Sequence, residues 1–269
     1  MSLTGGSTTT GQEYPSDEVI SAKDYVKELA TRPKIPGFLY GIDKIDALTE
    51  GVELGELVIV TGYSGHGKTS FTQTITSNFD NSGVPCLWFS YEVTPQQFFR
   101  KFPTLPNFHL PRTLTGNSME WLESKVKEGK RKFGTKVVFI DHLHYLIDMI
   151  PSAKMTGNDS LVIGGLLRRL KRIALEQQVA IFLIAHTKQP KDDEAPSMNS
   201  IRDSSFIAQE SDAIYAISRL REKKMGADLY TNDAMFQILK QRRTGTMGKR
   251  VKLTYTGNKY VEADKQFEL

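Results

Sequence analysis

The stretch from Leu57 to Thr69, read as LVIVTGYSGHGKT, constrains the fold of this chain more than any other. Leu57, Val58, Ile59 and Val60 form a short apolar run rich in β-branched residues, which suits a central strand buried on both faces. Gly62, Gly67, Lys68 and Thr69 then fill the pattern G-x-x-x-x-G-K-[ST], with a further glycine at Gly65. Glycines let the backbone turn tightly and aim its N–H groups at phosphate oxygens. Lys68 neutralises the β- and γ-phosphates, and the Thr69 hydroxyl joins a Mg²⁺ shell. Tyr63, Ser64 and His66 fill the variable positions, and Ser70 opens the helix whose positive end adds to the anion site. A glycine turn followed by a surface lysine is the bland alternative. The full pattern between a strand and a helix favours ATP and Mg²⁺.

The 269 residues, 39% of them hydrophobic and 25% charged, are enough for one sizeable α/β core, a central, mostly parallel sheet flanked by helices. A net charge of +4 is weak evidence for a polyanion partner, because distribution matters more than total. Cys86 is the single cysteine, so an internal disulfide is excluded, and its apolar neighbours fit a buried structural thiol. No run approaches the roughly 18 apolar residues of a membrane span, and no secretory leader is present. The expected setting is intracellular, cytoplasmic or nucleoid-associated, with no membrane partner.

Residues 1–34 read as a flexible lead with a short helix over Ser21–Ala30, capped by Ser21, and 35–269 as the folded domain. That helix is either an arm packing on a neighbouring subunit or a lead-in to the core. A helix is expected from Thr69 to about Phe79 and a strand over Val84–Ser90, with Glu92 just beyond it. A carboxylate at a strand's carboxyl end lies on the ligand-bearing edge of an open α/β sheet. Glu92 is therefore a candidate for activating water, with a structural or solvated carboxylate as the alternative. Thr94 and Gln97 form a capping box for a short helix reaching Phe102. A helix over Asn117–Lys127 precedes the basic segment Lys130, Arg131 and Lys132.

Val137, Val138, Phe139 and Ile140 lead into Asp141, an apolar strand ending in an acid suited to hold Mg²⁺. His142 and His144 lack a diagnostic zinc spacing. After a break at 151–158, Ile163, Leu166, Leu167, Leu170, Ile173 and Ala174 recur at helical spacing, with Arg168, Arg169, Lys171 and Arg172 on other faces, solvated or at a subunit seam. The strand Val179–Ala185 ends at His186, either a γ-phosphate sensor or a satisfied strand-end histidine. The polar loop 188–200 carries Lys188 and Lys191 beside the acids Asp192, Asp193 and Glu194, so charge alone does not establish DNA binding. A short helix begins at Ser204, strands follow at Ala213–Ile217 and Ala234–Leu239, and an extended pair closes the chain around Gly257-Asn258. Between Lys240 and Lys252 there are six basic residues and no acid. Arg242 is a candidate to enter another subunit's ATP site, supported by Lys240, with a soluble strand-loop-strand edge as the alternative.

Taken together, GYSGHGKT at 62–69, SYE at 90–92, FIDH at 139–142, LIAH at 183–186, SIRDSSFIAQESDAI at 200–214 and ILKQRRTG at 238–245 resemble the RecA-like motor domain of hexameric replicative helicases, the DnaB and bacteriophage T7 type. The resemblance covers roughly residues 35–262. It implies a RecA-like P-loop ATPase forming a hexameric ring, with ATP at subunit interfaces and loops reaching single-stranded DNA in a central channel. It assigns Glu92 as catalytic base, His186 as γ-phosphate sensor and Arg242 as trans-acting finger. Lys188, Lys191, Arg202 and Gln209 are the expected nucleic-acid contacts, and a primase or another replisome protein is an expected partner. His186 matches the T7-like version, and KQRRTG lacks the proline common in the bacterial form. Residues before 35 are too few for a primase or helical amino-terminal domain, so an isolated motor or compact accessory ATPase is expected. A RecA/RadA-type recombinase, a KaiC-like ATPase and a nucleotide-gated assembly module that hydrolyses little remain the alternatives.

Overall fold

The computed structural model describes residues 19–31, 37–102, 104–114, 116, 118–148, 159–187, 195–201, 204–224 and 227–263. Two compact units divide the chain, residues 1–36 and Gly37–Leu269. In the first, α1 (Ala22–Thr31) starts where expected: the Ser21 hydroxyl accepts from the Asp24 backbone N–H at 3.1 Å and donates to its carboxylate at 2.6 Å.

The larger unit is built on a nine-stranded sheet. After α2 (Asp43–Thr49) come β1 (Leu57–Gly62), α3 (Lys68–Asn81), β2 (Cys86–Ser90), α4 (Pro95–Phe99), β3 (Phe108–His109), α5 (Met119–Phe133), β4 (Val137–Asp141) and α6 (Leu143–Asp148). Then follow α7 (Asp159–Gln177), β5 (Ala180–His186), α8 (Ser204–Glu210), β6 (Ala213–Lys224), β7 (Ala227–Gln241), β8 (Arg250–Tyr255) and β9 (Tyr260–Glu262). Spatial order is β3-β2-β4-β5-β1-β6-β7-β8-β9. Pairing is parallel from β3 through β6 and antiparallel from β6 to β9, so the sheet is mostly parallel as expected.

Strand periodicity explains why the sheet must be covered twice. Val58, Val60, Phe139, Phe182 and Ile184 pack on one face with Phe71, Ile75 and Phe79 of α3. Leu57, Ile59, Val138, Ile140, Ile181 and Leu183 pack on the other with Leu122 and Val126 of α5 and Leu166, Leu167 and Leu170 of α7. Successive side chains point to opposite faces, and in a continuous apolar run both faces need cover. Each such side chain contributes about 1.5–3 kcal/mol on full burial.

Some elements differ from expectation for physical reasons. Lys130, Arg131 and Lys132 form the last turn of α5 rather than a segment after it. Cations at a helix's carboxyl end meet its negative pole, and Gly134 closes the helix at φ 67°. The basic residues of α7 also carry ion pairs: Lys171 meets Asp212 at 2.6 Å, Arg169 meets Glu120 and Glu123, and Arg168 meets Glu210 at 3.6 Å while its side chain stays 59% exposed. Strands β6 and β7 run far beyond their apolar centres as one long antiparallel arm. There the Arg219 guanidinium donates to the Thr231 carbonyl at 2.8 and 3.2 Å, and Arg221 lies over the Tyr230 ring. Cys86 is buried and burial pushes its thiol pKa up, as a structural thiol requires.

Candidate nucleotide site

Parallel strands entering the sheet side by side deliver their last residues to one edge. Ser90 of β2, Asp141 of β4 and Ile184 of β5 stand in register, and Gly62 of β1 pairs with His186. A cleft of about 230 Å³ lies at this edge, lined by Ser64, Gly65, Gly67, Lys68, Thr69, Ser70, Glu92, Val93, Lys101, Asp141 and His186. Ser64, Gly65, Gly67, Lys68, Thr69 and Ser70 of the expected phosphate loop, both acids and the strand-end histidine are thus brought together from four parts of the chain.

The loop owes its shape to glycines. Gly62 has φ 147°, and a Cβ there would lie 2.2 Å from the Ile217 carbonyl oxygen. At Gly67, φ 92°, a Cβ would lie 2.1 Å from the Tyr260 hydroxyl. Tyr63 and His66 belong to the loop but do not line the cleft. The Arg219 backbone N–H donates to His66 Nδ1 at 3.1 Å, which makes Nε2 the protonated nitrogen of the neutral ring, donating to Tyr230 at 3.2 Å. His66 therefore fastens the loop to the β6–β7 arm, a role only tertiary structure reveals.

Lys68 is 5% exposed, and its ammonium donates to the Gly62 and Tyr63 carbonyls at 3.0 and 2.9 Å. Burial lowers its pKa to about 8, opposed by Asp141 and Glu92. Asp141 is 1% exposed; the Thr69 hydroxyl donates to its Oδ2 at 2.9 Å, while Oδ1 has no hydrogen-bond partner among the described residues. Burial raises its pKa to about 6, and Glu92 adds repulsion. A buried carboxylate with an unsatisfied oxygen beside a threonine hydroxyl is the donor set a hard divalent cation fits. These residues therefore suit Mg²⁺ and a polyphosphate.

Beside the cleft lies a larger hollow of about 570 Å³ among Trp88, Phe98, Phe99, Leu110, Leu114 and Tyr145. Among the described residues Arg112 is the one basic side chain lining it.

Arg242 and Lys240 do not line the cleft. The Arg242 guanidinium donates to the Gln209 carbonyl at 3.0 Å and approaches Asp212 at 3.4 Å, and 55% of its side chain is exposed. The Lys240 ammonium caps the end of α8 by donating to the Ala208 and Ser211 carbonyls. Asp212 exchanges backbone and side-chain hydrogen bonds with Leu57, the opposite end of β1 from Gly62. At about 3.3 Å per residue that separation is roughly 17 Å. Lys188, Lys191 and Arg202 lie outside the described residues. Sequence reasoning missed Lys101, whose signal is only a cation after a capped helix, and Asp212, where Leu57, Lys171 and Arg242 converge.

Fold and cleft define a RecA-like P-loop nucleotide-binding domain. Residues 37–105 and 111–262 match the family described as DnaB-like helicase C terminal domain. The chain belongs to that family. It is 22% identical over 305 residues to the replicative DNA helicase DnaC of Bacillus subtilis, covering 100% of this chain and 66% of that one. It is 26% identical over 275 residues to the DNA helicase/primase of Enterobacteria phage T3, covering 86% and 47%. The chain thus spans about half to two thirds of the length of these curated relatives. A solved structure of a DnaB-like replicative helicase and its interactions with primase superposes with TM-score 0.72 at 20% identity, over 92% of this chain and 69% of that one. A solved ATPase domain gives 0.71 at 20% identity, over 90% and 96%. Among the described residues no helix is long and apolar enough to cross a membrane.

Proposed function

We propose that this chain is the ATP-hydrolysing motor of a replicative DNA helicase, translocating on single-stranded DNA as a hexameric ring. One observation carries the ring. The cleft holds lysine, acids and histidine from one chain, while Arg242 is held at the opposite end of β1, beyond reach of its own cleft. In this reading a neighbouring subunit supplies the arginine.

In this reading residues 35–269 form the motor and residues 1–34 a lead. The loop N–H groups from Ser64 to Ser70 cradle the triphosphate, and Lys68 releases its carbonyl contacts to meet the γ-phosphate. Asp141 and Thr69 would hold Mg²⁺, which would supply charge withdrawal from the phosphate oxygens. Glu92 orients water and accepts its proton as the oxygen attacks phosphorus and the bond to the ADP oxygen breaks. Glu92 is exposed in one chain, so a covering neighbour would dry the site and strengthen this step. Arg242 from that neighbour, with Lys240 holding its strand to α8, balances charge on the transferred group.

His186 senses the γ-phosphate and passes its loss to the chain after β5, where Lys188, Lys191 and Arg202 contact the DNA backbone. Gln209 follows through the Arg242 contact with its carbonyl. The similar phage helicase/primase and the DnaB-like helicase solved with its primase interactions support a primase-type partner, and the activity implies an intracellular replisome. ATP turnover measured with and without single-stranded DNA tests the proposal. Stimulation by single strands together with duplex unwinding is expected. Strand exchange without translocation, or turnover indifferent to DNA, would overturn it.

A further inference from the structure

Three adjacent strands present a second set of donors at the same edge. Glu92 follows β2, His142 follows Asp141 at the end of β4, and His186 ends β5, with β4 lying between its two partners. One ligand atom from each lies within 4.8 Å of the other two. The two imidazoles meet edge to face, centroids 4.6 Å apart at 85°. Among the described residues this is the one such grouping of histidines and acids.

We propose that Glu92, His142 and His186 form a binding site for a borderline-soft divalent ion such as Zn²⁺ or Co²⁺, distinct from the Mg²⁺ position. Its chemistry is different: Thr69 and Asp141 offer only hard oxygen, whereas two imidazoles and one carboxylate favour Zn²⁺, Co²⁺ and Ni²⁺ over Mg²⁺. Zinc ligands at about 2.0–2.2 Å in a tetrahedron stand roughly 3.3 Å apart. The trio must therefore close by up to about 1.5 Å, and Glu92, on an exposed turn, is the arm that moves while the half-buried histidines sit at strand ends. Water completes the shell toward the open cleft. The bound ion takes up both the carboxylate and the histidine that face the γ-phosphate position, yet leaves the phosphate loop untouched. Its occupancy arrests hydrolysis with nucleotide still bound.

The test uses the full chain, stripped by chelator and free of nucleotide, and titrates Co²⁺ while recording its visible d–d absorption and Zn²⁺ by calorimetry in excess Mg²⁺. One ion per chain with a four- or five-coordinate cobalt spectrum is expected. His142→Ala and, separately, His186→Gln should each weaken binding at least tenfold. Nucleotide binding by the His142→Ala protein checks its fold, and His186→Gln decides the matter if that variant does not fold. No cobalt complex in the unaltered chain, or undiminished affinity in a folded histidine variant, overturns the site.

Discussion

Replacing Asp141 by asparagine isolates what the cleft costs the fold and what it gains on binding. The carboxyl is 1% exposed, and burial lifts its pKa from 3.8 to about 6. A displacement of about two units corresponds to roughly 3 kcal/mol of penalty on holding the group ionised at neutral pH. Asparagine keeps the Thr69 hydrogen bond through its carbonyl oxygen but turns an amide donor toward the position of the unpartnered Oδ1. An unsatisfied buried donor costs about 1–2 kcal/mol. Lys68 also loses a favourable charge. The net expectation is a nucleotide-free protein more stable by about 1 kcal/mol, or a melting temperature roughly 2–4 °C higher for a domain of this size. The sign against pH is specific. Below pH 4 both folded and unfolded carboxyls are protonated and the native residue carries no charge penalty; the penalty grows as pH rises and is complete above pH 6. The stability gain of the variant should therefore open between pH 4 and 6. Adding Mg²⁺ and a non-hydrolysable ATP analogue must reverse the ranking, since a ligand at a hundred times its dissociation constant stabilises by about 2.7 kcal/mol only the protein able to bind it. Thermal melts across pH, with and without nucleotide, measure both arms. A variant less stable than the native chain at pH 7 without nucleotide, or one stabilised equally by Mg²⁺-nucleotide, would refute the reasoning.

Glu92→Gln should retain nucleotide binding and lose about 10²–10⁴-fold in single-turnover hydrolysis, because the amide accepts no proton from water; quench-flow chemistry at the native rate would reject the base. Homogeneous Arg242→Ala should lose about 10³-fold or more in DNA-stimulated turnover while its own Lys68 and Asp141 still bind ATP. Mixing it with Glu92→Gln, once subunit exchange is seen by native mass, should restore some turnover; none over a range of ratios contradicts a trans arginine. Gly62→Ala should destabilise by about 3 kcal/mol in denaturant titrations, since its Cβ would strike the Ile217 carbonyl in a left-handed backbone, and a wild-type midpoint would disprove that constraint.

What the sequence determined is whatever depends on neighbours along the chain. The apolar runs 57–60, 137–140 and 180–185 became buried parallel strands because continuous apolar stretches leave no polar face to expose. The glycine and lysine spacing, the Thr94 capping box and the acid after Ile140 were equally local, so the cleft's loop, helix start and Asp141 were readable before any fold was known. All of these residues lie within 37–105 and 111–262, the stretches that match the DnaB-like helicase C terminal domain. Tertiary structure decided the rest. Polar segments such as Arg219–Lys223 and Leu229–Asp233 carry no strand periodicity, and only pairing across the β6–β7 arm turns them into strands. Nothing local marks His66 as the loop's tie to Tyr230, or Asp212 as the point where Leu57, Lys171 and Arg242 meet, because their partners are thirty or more residues away. Arg242, a candidate cation from its basic turn, was assigned its end of the sheet only by strand register. A sequence motif carries chemical type and spacing; which edge of the sheet receives it is set by long-range pairing.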